Sequence, residues 1–134
     1  FPFAFDATRM PLAEDARRFT QSTMSYVSVV GLTTALDQLL ATGLDRIEHH
    51  AARLRSLLLD AVGVRGWQPF RHRGDRAAAS HIVSLARPGA SSAGVLARLR
   101  EEGIVCGSRG GRLRVSLAPY NDEDDRAALA AALA

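Results

Sequence analysis

The sequence predicts an α+β domain: a small, mainly antiparallel sheet with helices packed on it, preceded by a long apolar helix. Three observations carry this expectation. Two long stretches of helical period come early, short alternating segments bounded by glycine and proline follow, and one further helical segment divides those strands while another closes the chain. With 134 residues, 47% of them hydrophobic and 23% charged, the chain has the size and composition of one packed core and not of a disordered segment.

Residues 1–24 form a lead-in without a clean period, expected to be extended because Pro2 and Pro11 disfavour helix. Phe1, Phe3 and Phe5 alternate with small or proline residues, the pattern of a short strand that needs a surface to pack against. The small domain is expected over 25–134. Its first helix runs from Ser25 to about Ala41, where Val27, Val29, Val30, Leu32, Ala35, Leu36, Leu39 and Leu40 cover most of the circumference. A helix apolar nearly all round is expected to be buried on several sides, here against another domain or subunit.

Gly43 breaks that helix, and a second follows over about Leu44 to Val62. Its stripe of Leu44, Ile47, Ala51, Leu54, Leu58 and Ala61 is opposed by a wet face that includes Asp45, Arg46, Glu48, His49, His50, Arg53 and Arg55. Gly63 and Gly66 end it. Trp67 to Phe70 is expected as a short strand, Arg71 to Arg76 as an exposed basic loop, and Ser80 to Ala86 as a strand. Pro88-Gly89 makes a turn. Ser91 or Ser92 caps a helix over about Ala93 to Glu102, which buries Val95, Leu96 and Leu99 and stops at Gly103. Ile104 to Cys106 and Leu113 to Leu117 are two further strands, with Gly107, Gly110 and Gly111 in the hairpin between them. Asn121 is expected to cap the last helix. Asp122, Glu123, Asp124 and Asp125 fill its first turn, where the helix dipole favours negative charge, and no alternating ladder of calcium ligands follows them.

Charge and cysteine usage exclude several classes of function. Seventeen basic residues stand against fourteen acidic ones, and their alternation along the chain reads as a mixed solvated surface, which disfavours nucleic acid as a partner. The Arg71 to Arg76 cluster is the best nucleic-acid candidate, but it lacks interleaved aromatic residues on which bases stack. A single cysteine, Cys106, leaves no internal disulfide and no metal-type cysteine spacing, which fits a reducing, cytoplasmic compartment. No uninterrupted apolar run approaches the roughly 18 residues that span a membrane, and no signal-peptide pattern opens the chain. All seventeen basic residues are arginine, so no side-chain amine can form a Schiff base. The chain starts at Phe1 without a methionine, a start open to trimming, to proteolysis or to further sequence upstream.

Few residues carry chemistry. His49 and His50 are adjacent on a helix, about 100° apart, and read as surface residues; His81 reads as a structural strand residue, and no Ser-His-Asp arrangement can be argued from spacing. Cys106 reads as a small apolar filler. Arg114 differs. In Arg112-Leu113-Arg114-Val115-Ser116 the alternation places Arg112, Arg114 and Ser116 on one face and Leu113, Val115 and Leu117 on the other. If the aliphatic face meets the helices, Arg114 stands mid-strand on the opposite face, where its planar guanidinium can take a carboxylate in bidentate fashion. A surface arginine or a structural ion pair is the other reading of the same position.

Three segments, in order, resemble the C-terminal domain of class V aminotransferase-type enzymes. These are the fold-type I pyridoxal 5′-phosphate (PLP) enzymes that include cysteine desulfurases, selenocysteine lyases and isopenicillin-N-epimerase-like proteins. Arg18-Phe19-Thr20-Gln21-Ser22-Thr23-Met24-Ser25-Tyr26 is similar to the family's R-F-E-x-G-T-x-N run, and Gly43 to Glu48 to its G-x-x-x-I-E helix start. Gly103-Ile104-Val105 through Arg114-Val115-Ser116 to Tyr120-Asn121 is similar to G-I-V…R-x-S-x-x-x-Y-N. The resemblance implies that Arg114 holds the substrate's α-carboxylate, that Thr23 reaches the PLP phosphate across a dimer interface, and that Asn121 is a structural helix cap. It implies an amino-acid substrate and a homodimer, with the cofactor's lysine, the aspartate on its ring nitrogen and the stacking aromatic in a large domain outside this chain. The chain would then not be catalytic alone. Thr20 and Ser22 depart from the family's Glu and Gly, and only eight residues separate Val105 from Arg114, too few for the loop that carries the persulfide cysteine of desulfurases. The resemblance therefore points to the aminotransferase, epimerase or lyase branches. The alternatives are a stand-alone binding or docking module, with Arg71 to Arg76 as a nucleic-acid contact, and a degenerate or split relative that only dimerises or docks.

Overall fold

The computed structural model describes residues 8, 12–19, 23–71 and 81–134. The expected strand around Phe1, Phe3 and Phe5, and all of the basic loop except Arg71, lie outside the described residues. The chain divides into two compact units, residues 1–41 and 42–134.

In the first unit a 3-10 turn, Ala16–Phe19, leads toward helix α1, Tyr26–Thr42. The Arg17 side chain pairs with the Asp15 carboxylate at 2.9 Å and holds the Asp15 carboxyl below its ordinary range. Ser25 opens α1, its hydroxyl accepting from the Ser28 amide at 3.3 Å. The helix stands where its composition predicts, and within this chain none of its residues is buried: Val27 is 84% and Leu40 65% exposed. An apolar helix gains burial only from a surface that covers it, and nothing among the described residues does so.

The second unit is a two-layer α+β structure. It comprises α2 (Leu44–Gly63), β1 (Gln68–Pro69), β2 (Ile82–Ala86), α3 (Ser92–Glu101), β3 (Gly107–Arg109), β4 (Arg112–Ser116) and α4 (Glu123–Ala132). The sheet runs β1-β2-β4-β3 with every pairing antiparallel. Gly43, at φ 90°, holds the backbone conformation that starts α2 and that a side chain would resist. Leu54, Leu58 and Val62 of α2 meet Val83 and Leu85 of β2, Leu113 and Val115 of β4, Val95 and Leu99 of α3, and Leu129 and Leu133 of α4 in one core.

The end of α4 is fastened from three directions. The last carbonyls of a helix have no partner within it. Here Trp67 Nε1 donates to the Leu133 carbonyl at 3.0 Å, Arg98 donates to Ala132 at 2.8 Å, and Arg65 donates to Ala130. Both guanidinium groups lie at the negative end of the helix dipole.

Three expectations are corrected in detail. Ile104–Cys106 pairs with no strand; the strand is Gly107–Arg109, and the tight turn is Gly110-Gly111, both at positive φ as a two-residue hairpin of primed type requires. Asn121 does not cap α4. Asp122 does, its Oδ1 accepting from the Asp124 and Asp125 amides at 3.0 Å while Asp125 accepts from the Asp122 amide in return. Asn121 stands one residue earlier, accepting from the Ala118 amide and donating to Asp125. His81 lies just before β2, exposed, and its carbonyl accepts from the Leu117 amide at 2.7 Å.

Leu99 is fully buried where α3 meets the sheet. Leu99→Ala is expected to cost about 2–5 kcal/mol in denaturant unfolding. Asp122→Ala, which removes a surface cap, is expected to cost about 1 kcal/mol. Equal losses at the two sites would contradict this division between core and cap.

Candidate functional site

The site follows from which side of β4 is dry. Leu113, Val115 and Leu117 are 1%, 4% and 6% exposed and belong to the core, so Arg112, Arg114 and Ser116 project from the other face. The alternation read from the sequence is the one observed. β4 is an inner strand, and the register sets Arg114 between Ser84 of β2 and Gly107 of β3. Both neighbours are small. A Cβ built on Gly107 would come 4.0 Å from that of Arg114, an ordinary van der Waals contact.

The same face carries two more arginines. Arg109 pairs with Arg112 across the β3–β4 hairpin, and the Arg112 guanidinium carbon lies 4.6 Å from the centre of the Phe70 ring. Among the described residues neither Arg109, Arg112 nor Arg114 forms an ion pair. Among the described residues Arg114 therefore pairs with no carboxylate, and a carboxylate is the small anion whose two oxygens match its fork of donors.

Thr23 is exposed, three residues before the first residue of α1. It belongs to the first unit and Arg114 to the second. Thr20, Gln21 and Ser22 of that motif lie outside the described residues.

The remaining candidates separate. Cys106 is half-buried against the core, and burial pushes its thiol above the ordinary range. It lines a groove of about 350 Å³ together with Val115, Leu117, Tyr120 and Arg126. His49 is a surface residue, its ring donating to the Asp45 carbonyl one turn back. His50 was expected at the surface but is half-buried, and its Nε2 donates to the Asn121 carbonyl at 2.7 Å. It ties α2 to the turn before α4. The two histidines, about 100° apart on α2, differ because His50 faces that turn. No group of metal ligands occurs among the described residues, and no single described helix is long and apolar enough to cross a membrane.

No protein-family model matches the chain, and no curated protein does. Solved structures do match. A cysteine desulfurase from Thermococcus onnurineus NA1 is 22% identical with a TM-score of 0.79, over 90% of this chain and 33% of that one. The cysteine desulfurase CsdA from Escherichia coli is 26% identical with a TM-score of 0.72, over 83% of this chain and 30% of that one. Alanine–glyoxylate aminotransferase from a Nostoc species is 20% identical with a TM-score of 0.66, over 89% of this chain and 33% of that one. The chain has the fold of the C-terminal domain of class V aminotransferase-fold enzymes and spans about a third of the length of these structures.

Because its thiol is raised, Cys106 holds less thiolate near pH 8 than an exposed cysteine. Alkylation by iodoacetamide at that pH is expected to be slower in the folded protein than after unfolding. Equal rates would show that burial does not protect the thiol.

Proposed function

We propose that this chain is the substrate-binding C-terminal part of a PLP-dependent enzyme of class V aminotransferase type that acts on an amino acid. The observation that carries the proposal is Arg114, a guanidinium without an ion-pair partner among the described residues, on the open face of an inner strand in a domain of this fold.

The donor chemistry of the chain fits the outer part of such a site. Arg114 supplies a fork for the α-carboxylate, and Thr23 an exposed hydroxyl for the cofactor phosphate. The chain has no lysine, so the amine that anchors the cofactor comes from elsewhere in the enzyme. When bound, PLP supplies an electron sink for the carbanion that forms at the substrate's α-carbon. The work of this chain is positional. Arg114 fixes one end of the amino acid, and that fixed end sets the orientation of the bonds at the α-carbon relative to the reacting groups.

Helix α1 supports the same reading. Its exposed Val27, Val30, Leu36 and Leu40 need an apolar neighbour, which we assign to the large domain or to a second copy of the enzyme in a homodimer. The turn between β3 and β4 is only Gly110-Gly111, and Cys106 precedes β3 with its thiol raised by burial. These features favour transamination, epimerisation or elimination over persulfide transfer.

In the complete enzyme Arg114→Lys keeps the charge but loses the bidentate fork. It is expected to raise KM for the amino acid roughly ten- to a hundredfold, while PLP absorbance and cofactor retention on dialysis stay unchanged. An unchanged KM would remove Arg114 from the site. Thr23→Val is expected to do the reverse, accelerating cofactor loss on dialysis with little change in apparent affinity for the carboxylate. Leu36→Glu is expected to lower the assembly state or the solubility of the complete enzyme, read by sedimentation; an unaltered assembly would leave α1 outside any interface.

A further inference from the structure

We infer that Arg112, laid against Phe70, is a second anion-binding arm beside Arg114, and that the open face of the sheet takes a dicarboxylate: an amino acid with a second carboxylate on its side chain, or the corresponding short diacid. The inference rests on the reading of Arg114 as the holder of the substrate carboxylate and adds the substrate class.

The register builds the arrangement. The Phe70 amide donates to the Ser84 carbonyl at 2.9 Å, which sets Phe70 beside Ser84, and Ser84 pairs with Arg114 on its other side. Phe70, Ser84, Arg114 and Gly107 therefore form one row across the open face. Arg112 starts two residues earlier on β4, about 6.6 Å along the strand. Its guanidinium nevertheless ends 4.6 Å from the Phe70 ring centre. It thus leans across β2 toward the far end of the row. Ser84, small and polar, lies between Arg114 on one side and the Phe70–Arg112 stack on the other.

Stacking engages the flat face of a guanidinium and leaves its in-plane donors open. Phe70 carries no conventional hydrogen-bond acceptor, so its contact with Arg112 leaves the guanidinium's donors to a ligand. Like charges gathered on one face repel, and no carboxylate among the described residues compensates them. A monocarboxylate would answer one arginine. A short diacid reaching over Ser84 answers both, and the separation of the two arms selects its length.

The test measures calorimetric binding of succinate and glutarate, against propionate and butyrate, to the full-length protein that contains this chain. The diacids are expected to bind about tenfold more tightly. Arg112→Gln should bring the ratio near one. Phe70→Leu, which keeps the charge but removes the platform, should also lower it. Arg109→Gln removes the same charge from the same face one strand away and should leave the ratio intact. A preference for diacids that survives Arg112→Gln, or that falls equally with Arg109→Gln, overturns the inference, the latter by showing a diffuse field in place of a positioned arm. Arg114→Gln separates the two layers of the argument. Monocarboxylate binding that ignores this change sinks the reading of Arg114 itself. Monocarboxylate binding that depends on Arg114 without any preference for diacids sinks only the second arm.

Discussion

The dryness of one face of β4 governs the rest of the molecule. Leu113, Val115 and Leu117 have nowhere to go but against α2, α3 and α4, and a strand's side chains alternate without exception. Shifting the register by one residue would drive Arg112, Arg114 and Ser116 into the core and expose the aliphatic positions. Burial of a few branched side chains thus holds Arg114 in place more firmly than any contact of its own. The open face is precise because its back is packed.

The two units stand in opposite relations to water. The small domain is nearly self-contained, with its caps, hairpin turn and helix ends satisfied by its own residues. Helix α1 has an apolar surface that nothing among the described residues covers. The same contrast appears in the comparisons, where matching structures extend over about three times this length.

Much of this was legible in the sequence. The α+β class, the four helices and the facing of Arg114 follow from periods of 3.6 and 2, because period records which side is buried. Boundaries set by single hydrogen bonds were less legible. Asn121 and Asp122 are both good caps by residue type, and only the backbone decides which one reaches the free amides. Ile104–Cys106 has the composition of a strand, but Val105 is 89% exposed and the ladder begins only at Gly107. Pairing is a property of two segments, and one segment does not reveal it. His50 and Phe70 were missed for the same reason. Their partners, the Asn121 carbonyl and Arg112, lie far away along the chain.

The fastening of α4 has a consequence for synthesis. Leu133 is fully buried, and Trp67 of the segment after α2 needs its carbonyl. A nascent chain that has reached only Tyr120 holds α2, the sheet and α3 but lacks the helix that closes their shared core. Until residues past 130 clear the ribosome, the aliphatic face of β4 stays partly open. The core of the small domain therefore closes only when the final turn of α4 is in place.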